Sequence, residues 1–136
     1  MSASTSKVCV EVDDQKIQDQ LCSAFEGGSN YWYFIEESIN PTETRYLSDV
    51  PTAGGFLVIT AMERGPYSLD LDEGLLDLDK CAMLPAVLDR KACERGLQVM
   101  AVSYPKHFAD VVNEDGDATT GDVFLQCALY GEVIFG

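Results

Sequence analysis

The chain has 136 residues, 46% of them hydrophobic, which is enough for one domain with one core and too much for a disordered chain. Its 23 acidic and 9 basic residues give a formal charge of −14, so it lacks the basic footprint needed to bind nucleic acid phosphates directly. The same charge favours encounter with a basic protein surface, although acidity also serves solubility.

Residues 1–6 read as a disordered lead-in, and 7–136 as a single α+β domain. The opening MSASTSKV has no signal-peptide apolar stretch, and no apolar run reaches the length of a membrane span. The expected location is therefore a cytoplasm. Val8, Val10 and Val12 alternate with Cys9 and Glu11 as in a strand. Asp13 or Asp14 can cap a helix whose inner face holds Ile17, Leu21, Ala24 and Phe25. Gly27-Gly28 should stop it in a left-handed turn.

Tyr31 to Ile35 reads as a strand, with Tyr31 and Tyr33 on one face and Trp32 and Phe34 on the other. Asn40 to Gly55 is a long loop punctuated by Pro41, Pro51, Gly54 and Gly55. Phe56 to Met62 is a strand, and Arg64-Gly65-Pro66 turns it into a second arm from Tyr67 to Leu71. The segment DLDEGLLDLDKCAMLP fits either an irregular helix or an exposed acidic loop. Asp89 then caps a helix lined by Cys93, Leu97, Met100, Ala101 and Tyr104, and Pro105 ends it or opens a short helical turn. After the polar turn NEDGDATTGD, Thr119 and Asp122 have capping-box spacing for a last helix bearing Phe124, Cys127 and Ala128. Val133 to Phe135 can form a final short strand. The expected fold is α+β, a small antiparallel sheet of three to four strands packed against three or more helices.

The patterns of known chemistry are missing. The five cysteines, Cys9, Cys22, Cys81, Cys93 and Cys127, form no CxxC pair, and the chain has one histidine, His107. A closed zinc site is not expected, and buried reduced thiols are. His107 and Asp110 are spaced to share a helix face, but no nucleophile signature accompanies them. Glu36 and Glu37, adjacent on a strand, should point to opposite faces. Gly27-Gly28 and Gly54-Gly55 lack phosphate-loop spacing. Aligning Gly116 with the glycine of a calcium loop places Asn113, Asp115, Asp117, Thr119 and Asp122 at ligand positions. The first position then falls on Val111, which has no side-chain oxygen, and the last is Asp rather than Glu. The expectation is a non-enzymatic protein with no cofactor and no metal.

AFEGGSNYW (24–32), RGLQVMAVSYPKHFADVV (95–112) and TGDVFLQCALYGEVIFG (120–136) together resemble a family of small acidic proteins encoded by bacteriophages, prophages and related mobile elements. The acidic, leucine-containing stretch between Leu71 and Leu88 departs from that family's pattern. The resemblance implies context rather than activity, since most members have no assigned function, and the context is a host bacterial cytoplasm. Small size, acidity and the lack of catalytic motifs make an inhibitor of host defence, of the anti-CRISPR or anti-restriction type, the leading expectation. In that role carboxylates occupy Lys and Arg sites meant for phosphates. From His107 to Gly136 there is no Lys or Arg, and six acids occur. The candidate acidic surface is therefore Asp110, Glu114, Asp115, Asp117 and Asp122, with a second patch at Asp70, Asp72, Glu73, Asp77 and Asp79. The expected partner is a host protein with a basic surface, such as a defence nuclease complex. Two alternatives stay open. One is a sponge for a cyclic-nucleotide-type signal, held in a pocket of Tyr31, Trp32, Arg45 and Arg64. The other is an accessory protein of phage replication or assembly.

Overall fold

The computed structural model describes residues 10–28, 32–61 and 84–135. Its elements, in order, are α1 (Asp14–Ser23), β1 (Tyr33–Ile39), β2 (Phe56–Ala61), β3 (Leu84–Leu88), α2 (Arg90–Ser103), α3 (Pro105–Val112) and α4 (Ala118–Tyr130). The fold is α+β: a three-stranded antiparallel sheet, ordered β1-β2-β3, with four helices. Among the described residues no helix is long and apolar enough to cross a membrane. The proposed lead-in at 1–6, the arm from Tyr67 to Leu71 and the patch from Asp70 to Asp79 lie outside the described residues.

Three aspartates start three helices by the same chemistry. Asp13, Asp89 and Asp117 each place a side-chain oxygen on the backbone N–H three residues on: Lys16, Ala92 and Thr120. Each satisfies a first-turn donor that has no partner within the helix. The last of these corrects the capping box expected at Thr119 and Asp122: the cap is Asp117. Pro105 opens α3, where its missing N–H costs nothing. Helix α1 ends in a kinked turn over Ala24–Gly28, in which Gly27 has φ 176°, so the expected left-handed stop is not at Gly27. Gly131 does close α4 in the left-handed region, at φ 75°.

Helix α4 is the centre of the molecule. Every residue from Thr120 to Ala128 is buried, and α1 and α2 both pack on it. A helix apolar nearly all round has to be enclosed on every side. The inner face of the sheet adds Leu57, Ile59, Ala61 and Leu88, which are fully buried. Within the core, burial pushes the Cys93 and Cys127 thiols up to about 12, so both are free thiols that stay protonated at neutral pH.

The sheet differs from the expected pattern in five places. Residues 10–12, read as part of an opening strand, are not in one. Strand β1 begins at Tyr33, so Trp32 precedes it, and both residues enter the core while Phe34 stays exposed. A bulge between Ile35 and Glu37 breaks the alternation. Glu37 then pairs with Val58, and Glu36 accepts a 2.6 Å hydrogen bond from the Thr60 hydroxyl, two residues along on the same face, so the two glutamates share a face. Leu84–Leu88, whose first two residues end the stretch read from sequence as helix or loop, is an edge strand on β2. It tolerates Pro85 because an edge strand has one side free of ladder bonds. Val133–Phe135 is not a strand: the Gln126 side chain takes the place of a strand partner. Its Oε1 accepts from Ile134 N and Phe135 N, both at 2.7 Å, and its Nε2 donates to Phe135 O at 3.0 Å.

Candidate acidic interface

The turn joining α3 to α4 presents the acids. Val111 is fully buried and anchors its start. Glu114 adopts φ 59°, a left-handed conformation uncommon outside glycine, and Asp115 N donates to Asp110 O at 2.8 Å. Asp117 closes the turn, accepting from Thr120 N at 2.9 Å and from the Thr120 hydroxyl at 3.2 Å. These bonds, the backbone one first, hold the Asp117 carboxyl below the usual aspartate range. His107 lies with Nδ1 3.2 Å from that same hydroxyl, so it ties α3 to the start of α4 rather than pairing with Asp110.

Glu114, Asp115 and Asp117 are exposed and Asp110 is half-buried. Among the described residues the ion pairs are Lys16–Asp13 and Arg90–Asp14, and neither touches this turn. Asp122 does not belong to the surface. It is 9% exposed, and its Oδ1 accepts from Trp32 Nε1 at 2.8 Å and from Gln126 Nε2 at 3.2 Å. It lies on the first turns of a helix that is enclosed all round, which is why it faces inward.

Of the residues named for an aromatic pocket, the structure describes Trp32 and Arg45. Trp32 is fully buried and stacks on Phe135, with ring centroids 4.9 Å apart and 8° between planes. Arg45 lies over the exposed Tyr46 ring, 5.5 Å from its centroid. Tyr31 and Arg64 are outside the described residues.

The structure adds acids that the sequence reading passed over. Gln15, Asp19 and Cys22 on α1, and Glu26 in the kinked turn that follows, recur at helical spacing on the side away from Ile17, Leu21 and Ala24. Asp19, Cys22 and Glu26 face Tyr46, Ser48 and Asp49 across a cavity of about 310 Å³. Burial, then the hydrogen bond and charge of Glu26, then Asp19 and Asp49, raise the Cys22 pKa. The signal that could have found this row is the run of polar residues at i, i+4, i+7 on the uncharted face of an otherwise clear helix. A larger cleft, about 500 Å³, is lined chiefly by aliphatic groups such as Val10, Val12, Leu97 and Ala101, and includes none of the candidate carboxylates. Among the described residues no group of three or more His, Cys, Asp or Glu is placed to hold a metal ion.

Comparison with protein-family models, with curated proteins and with solved structures finds no match to this chain.

Proposed function

We propose that this protein is a non-enzymatic inhibitor that works in a bacterial cytoplasm by presenting carboxylates to a basic, nucleic-acid-binding site, in the manner of an anti-CRISPR or anti-restriction protein. One observation carries the reading. Glu114, Asp115 and Asp117 are exposed on a turn pinned at both ends, by Val111 in the core and by the Asp117 cap, and no basic side chain among the described residues pairs with them. Carboxylates held in place without a cation are free to take one from a partner, and charge-assisted bonds to Lys and Arg are the strong class of hydrogen bond. Pre-ordering the turn also lowers the entropy lost on docking. The resemblance to phage-encoded acidic proteins points to defence nucleases as the partner class.

The test is displacement of DNA from purified CRISPR effector and restriction complexes. Displacement from at least one complex is expected, weakening as salt rises from about 0.1 M to about 0.5 M. The double variant Glu114→Lys/Asp115→Lys should lose it while keeping its thermal stability. No displacement from any complex, or displacement indifferent to both salt and charge reversal, would overturn the reading.

A further inference from the structure

The chain has one histidine, His107, and the two nitrogens of its ring meet different surroundings. Nδ1 lies 3.2 Å from the Thr120 hydroxyl, and that hydroxyl donates to Asp117 Oδ1, also at 3.2 Å. Thr120 has one hydroxyl proton, and an ionised carboxylate is a stronger acceptor for it than a neutral imidazole nitrogen. With that proton directed at Asp117, the hydroxyl oxygen is left to accept, so Nδ1 must carry the proton of the neutral ring and donate it. The lone pair of the ring is then on Nε2. Nε2 makes no hydrogen bond among the described residues, where the one buried side-chain nitrogen or oxygen without a partner is Gln20 Oε1. Nε2 is therefore not buried: the half-buried ring turns one nitrogen to the start of α4 and the other to solvent. Two hydrogen bonds and one ring separate Nε2 from the Asp117 carboxylate.

We infer that neutral His107 is part of the partner-binding surface, its Nε2 accepting a hydrogen bond from an arginine or lysine of the basic partner, an inference that rests on the acidic-interface reading above. Such a side chain has several donors and no acceptor, so it needs more than one acceptor to be satisfied. Nε2 adds one beside a turn whose other acceptors are carboxylates. Unlike them, an imidazole changes charge between about pH 5 and about pH 8. Protonation puts a hydrogen on Nε2, turns the acceptor into a donor and sets a cation against the partner's cation. The charged groups on the same side of the molecule are Lys106 and Asp110 on α3, Glu114, Asp115 and Asp117 in and after the turn, and Lys16 and Asp19 of α1, which share a cleft with Glu114. On α2, Arg90 and Glu94 line a cleft with Phe108, the neighbour of His107. Carboxylates, lysines and arginines ordinarily titrate outside that interval, which leaves the imidazole as the side chain here that switches within it. Docking holds the ring neutral, so it tightens as pH rises through the imidazole range and weakens as pH falls through it.

The experiment titrates the isolated full-length protein with a hexa-arginine peptide, blocked at both ends, at constant ionic strength. Arginine keeps its charge throughout, so any pH dependence belongs to the protein. ¹⁵N NMR of the imidazole at about pH 8 should show the proton on Nδ1 and Nε2 bare, and the peptide should shift Nε2 more than Nδ1. His107→Asn keeps an N–H within reach of Thr120 and has nothing at the place of Nε2. At about pH 8 it should bind the peptide about threefold to tenfold more weakly than the parent does. At about pH 5.5 the parent should have lost that advantage. Diffuse charge alone predicts a different pattern, with parent and variant equal at about pH 8. Three results would overturn the inference: a neutral ring protonated on Nε2, equal affinities of parent and His107→Asn at about pH 8, or a parent advantage that persists at about pH 5.5. The ring spectrum is read on the parent, so it decides even where the variant fails to fold. The interface reading is judged separately. If Glu114→Lys/Asp115→Lys abolishes DNA displacement while His107→Asn binds the peptide like the parent, the acidic surface stands and the histidine contact falls.

Discussion

Trp32 Nε1 donates to Asp122 Oδ1 at 2.8 Å across a separation of 90 residues, and this bond fastens the entry of the sheet to the first turns of the central helix. Both side chains are buried, and the same Oδ1 takes a second bond, at 3.2 Å, from Gln126 Nε2. A carboxylate in such a place is tolerated only because donors surround it. Asp122→Ala should therefore lower stability by about 2–3 kcal/mol, the range for hydrogen bonds to charged groups. Asp122→Asn keeps an acceptor and should cost roughly half as much. Urea denaturation followed by Trp32 fluorescence measures both. Asp122→Asn should leave DNA displacement unchanged, because the group does not reach the surface; a selective loss of displacement would return Asp122 to the interface.

Gln126 does for the C-terminal segment what a neighbouring strand does for a sheet edge. With three bonds from one amide to Ile134 and Phe135, it seats Phe135 against Trp32, while Val133 N donates to the Tyr104 hydroxyl at 3.0 Å. Gln126→Leu keeps the side chain's bulk but strands two backbone N–H groups. The expected loss is about 2–3 kcal/mol. Hydrogen exchange gives the sharper readout: the Ile134 and Phe135 amides should move to the rate of an open segment, while Leu57 and Ile59 in β2 fall only with global stability. Protection retained at Ile134 would contradict the role given to this side chain.

Two glycines in helices mark close approaches of backbone to backbone. A Cβ at Gly96 of α2 would lie 2.8 Å from the Ala128 backbone, and one at Gly121 of α4 would lie 2.8 Å from Gln20 O and 2.9 Å from Ala24 N. Alanine gains about 1 kcal/mol of helix propensity over glycine. Overpacking against atoms that cannot swing aside costs about 1–3 kcal/mol, so it should win at both sites. Gly96→Ala and Gly121→Ala should each lower the thermal midpoint, by several degrees for a domain of this size. A rise in either would show that the helices can separate at little cost.

Local signals in the sequence carried the helices further than the sheet. The caps at Asp13 and Asp89, the break at Pro105 and the inner face of α1 depend on neighbours in the chain, so they could be read in advance. Strand β3 could not, because Pro85 argues against a central strand and only the register with β2 makes an edge strand of it. The segment at Val133 was apolar enough to suggest a strand, but its partner is a side chain, which no strand pattern encodes. Acid content alone marked Glu114 and Asp115 as a charged turn and misassigned Asp122, which lies on a helix buried on every side from Thr120 to Ala128.

The Asp117 cap yields a pH dependence with a definite sign. Its folded pKa is lowered by the bonds from Thr120, so the folded state favours the charged form more than the unfolded chain does. The cap's contribution is complete above the unfolded aspartate value, about 3.9, and is lost as pH falls through the lower folded value. At neutral pH, Asp117→Ala should cost about 1 kcal/mol. Asn is as good a cap as Asp and does not titrate, so Asp117→Asn should stay within a few tenths of a kcal/mol of the parent there. With so many other carboxylates in the chain, the absolute stability curve cannot isolate this one. The difference between parent and Asp117→Ala can, and it should narrow between about pH 5 and about pH 2. The difference between Asp117→Asn and Asp117→Ala should stay level over the same interval. A parent-minus-alanine difference independent of pH would mean that the carboxylate's charge adds nothing to the cap, and that the bonds from Thr120 act as they would on a neutral acceptor.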